Sequence, residues 1–483
     1  MPNNCPNREQ IASDHHALFS IKWLLIILLF IGILASGQTY AVTINDITQL
    51  NPIVVNQIVS PQSIAELRQL VREHHGPISI AGGRYSQGGQ IADNNGLVID
   101  MRRLNKIIFL DEKKRQITVE AGATWREIQN VIDPKGFSIQ IMQSYSNFTV
   151  GGSLSVNVHG RYVNRGPVIC SVDSIKIVLA DGSLKEASRV LNSDLFYGAI
   201  GGYGGLGVIV EATLNLDKNT PIERRVKTMP ITEYKKYFFD TIANSKIALF
   251  HNANLYPTDY TMVRSITWNL TDKPVTIKTK LASDSKLTRS QQFLLSWITH
   301  SKSGKLFYRN IYEPYILSGN AVAWRNYESS EDVASLEPTS RKKETYVLQE
   351  YFVPPAHFDS FVNKMRFILQ SHHVNVLNIS IRYTLADPGT LLAWARQPVF
   401  SFVIYYEQGV TNTAKKEVST WTSQLIDAVL SEEGTYYLTY QIIATKKQFL
   451  LAYPNATNYF ILKRKVDPTN KFRNRLLDRY QTP

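Results

Sequence analysis

Short runs of alternating apolar and polar residues follow one another from residue 48 to residue 217, and they predict an α+β unit. After a short strand, "SPQSIAELRQLVREHHG" has apolar residues at helical spacing, with Ser60 and Pro61 as a start signal and Gly76 as a stop signal. Three β-type runs come next, "PISIAGG", "GLVIDM" and "QITVEAG", separated by turns rich in glycine and asparagine. We therefore expect short strands, an early helix and glycine loops.

The remainder of this unit has equally clear local signals. "TWREIQNVIDPKG" predicts a helix capped by Thr124, with Ile128 and Ile132 on one face. "SIKIVLADGSLKEA" predicts a hairpin whose turn is Asp181-Gly182, and "GVIVEATLNL" alternates as a strand does.

Longer alternating segments appear between residues 218 and 430, and they predict a second domain. "YVLQEYFVP", "NISIRYTLA" and "VFSFVIYYEQ" predict strands, and "HFDSFVNKMRFILQSHH" predicts an amphipathic helix between two of them. This order favours an antiparallel sheet with flanking helices, which suits a substrate (cap) domain. Residues 431–483 form a tyrosine-rich tail that ends in a basic segment.

The first 41 residues have the order of a signal peptide or a signal anchor. Lys22 precedes an apolar run from Trp23 to Ala35, and Thr39 and Ala41 are small residues at the two positions that define cleavage. We expect the body of the protein to be exported or membrane-anchored, outside the cytosol.

The composition of the chain limits the kinds of ligand and partner that we expect it to bind. The net charge is +13, which favours a phosphorylated cofactor or substrate or a membrane surface. No nucleic-acid-binding motif accompanies the scattered basic residues, so we predict no nucleic-acid partner. Two cysteines, Cys5 and Cys170, exclude a disulfide framework, and adjacent histidine pairs make poor metal clamps, so no metal site is predicted.

Clusters of glycine residues are the candidate ligand-binding segments. A literal G-x-G-x-x-G at Gly202, Gly204 and Gly207 is followed by a strand pattern, not the helix that a dinucleotide-binding motif requires, so we reject that interpretation. Two denser loops, residues 81–90 and 144–166, offer free backbone N–H groups that suit an anion. The alternative is that both are tight turns; two dense clusters flanked by strands favour a phosphate-bearing ligand.

These segments resemble a known family. "ISIAGGRYSQGGQ", "ITVEAGATW", "TVGGSLSVNVHG" and "DLFYGAIGGYGGLGVIVEATL" are similar to the FAD-binding domain of the vanillyl-alcohol oxidase / p-cresol methylhydroxylase (PCMH-type) superfamily over residues 52–217. The later "LQEYFVP", "RYTLADPGTLLAWAR" and tail segments resemble its sugar-oxidising branch, the aldonolactone oxidases and decaprenylphosphoryl-ribose oxidases. The resemblance implies a two-part FAD-binding domain plus a cap domain, with residues 431–483 expected to return to the FAD site.

The resemblance also implies which residues bind FAD. Many members carry a histidine that bonds covalently to the flavin where this chain has Tyr85, and the region before Thr149 lacks the cysteine of a second link, so the FAD is expected to be non-covalent. His159, Gly160 and Arg161 are expected near the isoalloxazine, and Val208 or Ile209 at the adenine end. The full set of expected FAD-binding residues is Ala81, Gly82, Gly83, Arg84, Tyr85, Ser86, Gln87, Gly88, Gln90, Ser144, Thr149, Val150, Gly151, Gly152, Ser153, Val156, His159, Gly160, Arg161, Val208 and Ile209.

For the reaction itself the resemblance points to the tail. Tyr437 matches a tyrosine near the flavin, while Tyr440 stands where the ribose oxidases have a catalytic lysine, a departure that bears on the substrate. Tyr437, Tyr440 and Gln441 are the candidate catalytic residues. Glu350 and Arg382, on strands of the second domain, are candidate substrate-binding residues; the alternative is that they are solvent-facing or paired charges.

The function that follows is FAD-dependent oxidation of a CH–OH group in a sugar, alditol or aldonolactone-like substrate, by hydride transfer to flavin N5. One alternative is the oxidation of a lipid-linked sugar phosphate, and another is a non-catalytic flavin-binding module. Oxygen, a quinone or a cytochrome remains open as the electron acceptor.

Overall fold

The computed structural model describes residues 41–282, 289–333, 338 and 340–481. The leader expected at residues 1–41 therefore falls, except for Ala41, outside the described residues. Among the helices that are described, none combines the length and the apolar character needed to cross a membrane.

The first part of the chain builds three sheets from short strands. A two-stranded antiparallel pair, a three-stranded parallel sheet in the order β3-β5-β4, and a six-stranded antiparallel sheet in the order β10-β9-β11-β7-β6, with β8 added on β11, make up this part. The strands are β1 (Val42–Ile44), β2 (Ile53–Val55), β3 (Gln57–Val59), β4 (Ile78–Ala81), β5 (Leu97–Asp100), β6 (Ile107–Asp111), β7 (Gln116–Glu120), β8 (Phe137–Ile139), β9 (Val172–Val178), β10 (Leu184–Ser188) and β11 (Val208–Lys218).

Four α-helices lie between these strands, and the first three begin after a side chain that caps them. They are α1 (Ile64–Glu73), α2 (Trp125–Ile132), α3 (Val150–Ser155) and α4 (Ser193–Ala199). Thr124 and Glu127 form a complete capping box at the start of α2, as the sequence predicts for Thr124. Helix α1 is capped by Ser63, three residues after the expected start signal. Strand β11 follows Gly207 directly, so the glycine motif there does not open a helix.

The second part is one eight-stranded antiparallel sheet, the cap sheet, in the order β15-β12-β14-β13-β17-β18-β16-β19. Its strands are β12 (Pro221–Pro230), β13 (Ala248–Leu255), β14 (Met262–Leu270), β15 (Val322–Trp324), β16 (Glu344–Val353), β17 (Val376–Thr384), β18 (Val399–Gly409) and β19 (Thr435–Tyr436). The α+β fold class and the antiparallel sheet expected in the second part are confirmed.

Helices flank the cap sheet, and the two longest of them cover one face. They are α5 (Ile231–Tyr237), α6 (Arg289–His300), α7 (Lys302–Phe307), α8 (Glu313–Ile316), α9 (Arg325–Glu328), α10 (Phe358–Ser371) and α11 (Asn412–Leu430), with π-helical segments at Phe238–Ala243 and Tyr308–Tyr312. On β16, Gln349 bonds Thr422 of α11 at 2.7 Å and the Tyr351 ring lies 6.0 Å from Phe361 of α10. Since side chains alternate along a strand, the even-numbered residues of β16 point to the opposite face.

The C-terminal segment returns to the first part. It adds β19 to the edge of the cap sheet and then forms α12 (Lys446–Ala452), α13 (Ala456–Val466) and α14 (Arg475–Tyr480). Lys463 on α13, with its side chain 1% exposed, bonds Asp467 at 2.9 Å and the carbonyl oxygen of Gly205 at 3.0 Å. One apolar core runs through all three parts, so the face of the cap sheet opposite α10 and α11 is held against the glycine loops.

Candidate functional site

A cleft lies between the glycine loops and the face of the cap sheet opposite α10 and α11. It holds about 1960 Å³ of space, part of it open to solvent. Its lining comes from every part of the chain: Gly83 and Ser153 from the loops, Arg382 from the cap sheet and Tyr437 from the C-terminal segment.

The first glycine loop leaves the end of β4 and turns beneath the cleft. Arg84 adopts a left-handed backbone (φ 64°) and its guanidinium lies 3.1 Å from Asp100 at the end of β5. Gln90 fixes the far side of the loop, because its side-chain amide donates to the carbonyl oxygens of Leu438 and Tyr440, each at 2.8 Å. The loop is therefore tied to the C-terminal segment as well as to its own sheet.

The second glycine loop contains a short helix that the sequence did not predict. Thr149 caps α3, with its hydroxyl accepting from the Gly152 N–H at 3.3 Å. A Cβ at Gly82 would lie 2.3 Å from that same Thr149 Oγ1. The two glycine loops thus touch, and glycine at 82 is what permits the approach.

Tyr85, where covalent members of the family have histidine, packs flat on a second ring. Its ring centroid lies 4.3 Å from that of Phe148, at an interplanar angle of 24°. Both residues line the cleft. The phenol is a stacking surface in the wall of the site.

A buried polar cluster occupies the cleft between the second loop and the cap sheet. His159 Nε2 lies 2.5 Å from Glu350 Oε1, and both side chains are less than 5% exposed. The Ser401 hydroxyl donates to the same Oε1 at 2.5 Å, while the Tyr440 hydroxyl is 3.4 Å from Oε2. Oε1 therefore has two close partners and Oε2 has only one distant partner among the described residues.

Electrostatics keep Glu350 ionised. Burial raises the pKa of its carboxyl, but His159, Arg382 and the Ser401 hydroxyl stabilise the charged form more, so the pKa lies below its ordinary value of 4.5. Burial, and next the Glu350 charge, holds the pKa of Tyr440 well above 10. At neutral pH the carboxylate accepts hydrogen bonds and the phenol donates them.

The cap strands present alternate residues to the cleft, as strand geometry requires. Tyr346, Leu348 and Glu350 come from β16, Asn378, Ser380 and Arg382 from β17, and Val403 and Tyr405 from β18. The residues from β17 form a polar row that ends in a guanidinium.

Most of the residues expected from the sequence meet in this cleft. Those in its lining are Gly82, Gly83, Arg84, Tyr85, Ser86, Gln87, Gln90, Ser144, Thr149, Gly151, Gly152, Ser153, Val156, His159, Ile209, Glu350, Arg382, Tyr437 and Tyr440.

Seven expected residues lie outside the lining that the described residues form. Ala81, Val150 and Val208 are buried in the core, while Gly88 and Gly160 approach backbone carbonyls of Tyr440 and Met142. Arg161 pairs with Glu328 at 2.8 Å. Gln441 donates to the Gln87 carbonyl oxygen at 2.5 Å and so positions the first loop.

Tyr437 also has a different environment from the one a proton acceptor needs. Its hydroxyl donates to the Val156 carbonyl oxygen at 2.7 Å, and burial raises its pKa well above 10. The ring lies in the cleft wall and the oxygen ties the tail to the second loop.

Sequence reasoning missed Ser401, Asn378 and Ser380. The spacing of Asn378, Ser380 and Arg382, two apart on a predicted strand, was an available signal that they share one face. Nothing local marks Ser401, whose partner Glu350 is 51 residues away in the chain.

Comparison with known proteins found one matching family and several similar proteins. Residues 52–188 match the family described as FAD binding domain. L-gulonolactone oxidase of Mus musculus is 31% identical over 157 residues, which is 32% of this chain and 36% of that protein. The same-named protein of Bos taurus is 22% identical over 425 residues, 87% of this chain and 93% of that protein. Decaprenylphosphoryl-beta-D-ribose oxidase of Mycolicibacterium smegmatis is 24% identical over 462 residues, with coverage of 87% and 93%.

Proposed function

Because the chain belongs to the vanillyl-alcohol oxidase / p-cresol methylhydroxylase superfamily of FAD-linked oxidoreductases, in the branch of the aldonolactone and decaprenylphosphoryl-ribose oxidases, we propose that it oxidises a CH–OH group of a sugar, alditol or aldonolactone-like substrate. FAD is its cofactor. The observation that carries the proposal is the buried Glu350 carboxylate, held by His159 and Ser401 in the same cleft as the two glycine loops.

The residues of the cleft fit FAD. The buried Ser144 hydroxyl lines the cleft and has no hydrogen-bond partner among the described residues, as expected of a group that bonds a ligand. The first glycine loop offers backbone N–H groups for a pyrophosphate, and Tyr85 and Phe148 offer ring faces. We propose that the cofactor is held without a covalent bond.

Bound FAD supplies an acceptor for the hydride that leaves the carbinol carbon. The protein supplies a place for the hydroxyl proton. Oε2 of Glu350 has accepting capacity left, because Oε1 takes the contacts of His159 and Ser401. A substrate hydroxyl donates to Oε2, and the Glu350–His159 pair receives its proton as the carbon is oxidised.

Arg382 orients the rest of the substrate. Its Nε is buried without a hydrogen-bond partner among the described residues, and the side chain lines the cleft. With Asn378 and Ser380 it offers donors at strand spacing, which suits the row of hydroxyl oxygens of a sugar or the carbonyl oxygen of a lactone.

The second candidate is a lipid-linked sugar phosphate. The guanidinium of Arg382 in the cleft favours a substrate with an anionic group, and the leader expected from the sequence favours a body outside the cytosol, at or near a membrane. Tyr440 in place of the lysine of the ribose oxidases weighs against the same binding mode.

Anaerobic reduction of the bound flavin tests the proposal. A panel of sugars, alditols and aldonolactones is added, and bleaching of the visible flavin band is followed for the wild type and for Glu350→Gln. Bleaching by a free sugar or lactone supports the first candidate; bleaching only by a phosphorylated or lipid-linked sugar supports the second. No bleaching by any of them, with FAD bound, would favour a non-catalytic flavin-binding module.

A further inference from the structure

Residues 289–316 form a helical hairpin with an exposed apolar face. Helix α6 leads into α7, the π-helical segment Tyr308–Tyr312 and α8. Leu306, Ile311 and Tyr315 are 37%, 59% and 76% exposed. Because a π-helical turn holds more residues than an α-turn, the spacings of five and four keep these three side chains on one side of the helix.

A second apolar row lies beside the first. Phe307, Tyr312 and Ile316 repeat the same spacing, and Ile316 is 47% exposed. Trp297 of α6 is 38% exposed and its ring lies 5.3 Å from that of Phe307. The two rows and Trp297 make a continuous apolar face, which we name the hairpin face.

The opposite side of the hairpin is firmly attached to the cap sheet. Glu313, 2% exposed, accepts from Arg264 of β14 at 2.5 Å. Lys305 donates to Asn375 at 2.5 Å, and His300 lies 2.9 Å from Glu407 of β18. These polar contacts fix the orientation of the hairpin, so the exposure of its apolar face is built into the fold.

The charge of the hairpin indicates what kind of partner the hairpin face binds. Glu313 is the sole acidic residue in the sequence from 289 to 316, and it is buried, whereas Lys302 is exposed. The whole chain carries +13. A second copy of the chain would bring the same charge to the contact, while an anionic surface would be attracted to it.

We propose that the hairpin face lies in the interface of an anionic lipid bilayer. Large aliphatic side chains with tryptophan and tyrosine on one helix face, and cations but no exposed acid within the hairpin, are the chemistry of helices that lie in the headgroup region. The docking places the cleft near the membrane, because Tyr346, in the cleft lining, lies against Thr299 of α6. The inference stands on the hairpin face and does not depend on which substrate is oxidised.

A polarity-sensitive fluorophore at residue 311 tests the docking in the full chain. Cys5 and Cys170 are replaced by alanine, and Ile311→Cys carries the label; Val190→Cys, at a position 95% exposed in the first part of the chain, is the matched control. We expect a blue shift of the emission at 311 with vesicles of phosphatidylcholine and phosphatidylglycerol. We expect a smaller shift with phosphatidylcholine alone, and none at 190. Adding Leu306→Asp and Tyr315→Asp should abolish the shift at 311.

Other results would overturn the proposal. A label at 311 that stays in water while the protein sediments with vesicles would mean that another segment, such as the leader, makes the attachment. A shift that grows with protein concentration without lipid would assign the face to a second copy. An equal shift on both vesicle types would remove the role of anionic lipid. Retained FAD content and circular dichroism verify that each variant is folded.

Discussion

At the scale of single residues, the site works by giving the two oxygens of one carboxylate different surroundings. Oε1 of Glu350 is held by His159 and Ser401, each at 2.5 Å, so the group cannot rotate without losing two strong contacts. Oε2 keeps accepting capacity, and in the function proposed above it accepts the hydrogen bond of a substrate hydroxyl. Holding the acceptor in place before the substrate arrives is what general-base catalysis requires.

Glu350→Gln tests this role. The amide keeps the size of the side chain but cannot take a proton, so the rate of flavin reduction by substrate should fall about 10²–10⁴-fold. FAD binding should not change. Glu344→Gln, at the start of the same strand and with its side chain 40% exposed, is the matched control and should keep the full rate. An unchanged rate in Glu350→Gln would exclude Glu350 as the acceptor.

Tyr85 gives a simpler prediction. A phenol that stacks on Phe148 at 4.3 Å forms no bond to flavin by the histidyl route of the covalent members. After acid precipitation of the wild-type protein, the yellow FAD should appear in the supernatant, where its absorbance is measured. Colour retained in the pellet would contradict non-covalent binding.

The amino-acid sequence could identify many single residues of the site, but not the residues with which they form hydrogen bonds. The FAD loops and Glu350, Arg382 and Tyr440 follow from motif resemblance. The contact of His159 with Glu350 joins residues 191 apart, and no local period encodes such a pairing. Gln441 shows the other limit, since its position beside Tyr440 in the chain does not bring it into the cleft.

At the scale of elements, the decisive contact is between the two glycine loops. Gly82→Ala would place a methyl group against Thr149 Oγ1, which also caps α3. The FAD dissociation constant should therefore rise about tenfold, equivalent to about 1.4 kcal/mol, as measured by quenching of flavin fluorescence.

A double variant makes this test specific. Thr149→Ala removes the atom that the new methyl group at position 82 would meet, so adding Gly82→Ala to Thr149→Ala should cost little more. Gly76→Ala, whose new methyl would meet a flexible His74 side chain, is the control and should bind FAD normally. If Gly82→Ala weakened FAD binding by the same factor in the Thr149→Ala background as in the wild type, the two loops would not act through this contact.

The cap sheet contains a pH-dependent element on β13. His251 lies between the Tyr234 hydroxyl of α5 at 2.8 Å and the Thr267 hydroxyl of β14 at 2.9 Å, and burial lowers its pKa to about 3. Folding thus favours the neutral imidazole. Its contribution to stability is complete above the ordinary pKa of about 6.5 and is lost as the pH falls from there toward 3.

Urea unfolding at several pH values measures this loss. Between pH 6 and 4 the free energy of unfolding of the wild type should fall about 1.4 kcal/mol per pH unit more steeply than that of His251→Gln. The variant will be less stable at pH 7, so the slope is the informative quantity. Parallel slopes would contradict the assignment.

The elements themselves were largely predictable where the pattern is strong. Helix α2 with its Thr124 cap, the hairpin at Asp181-Gly182 and strand β11 were all found from local sequence. Helix α3 was not, because glycine at 151 and 152 lowers helix propensity and its start depends on the Thr149 cap. The exposed hairpin of residues 289–316 was missed because its apolar rows follow a π-helical spacing.

At the scale of the whole molecule, the cleft exists only when all three parts of the chain are folded together. Gly83, Arg382 and Tyr437 line it from the first part, the cap sheet and the C-terminal segment. A ligand that binds there stabilises every part at once. The order of the parts along the chain and the return of the tail to the FAD site were predicted from the family resemblance; the contacts of Gln90 and Gln441 that join the tail to the first loop were not.

Thermal unfolding with added FAD tests whether the three parts of the chain unfold together. At a free FAD concentration about 100 times its dissociation constant, the folded state should gain about 2.7 kcal/mol, and the entire chain should unfold in one transition at a higher temperature. Riboflavin, which lacks the pyrophosphate and adenosine, should give a smaller shift, because it cannot use the anion-binding loops. Circular dichroism reports the strands and helices of all parts, while tryptophan fluorescence emphasises residues 218–430, which hold five of the seven tryptophans. If FAD raised the midpoint seen by one probe and not by the other, the parts would unfold independently and the cleft could not be the single site described above.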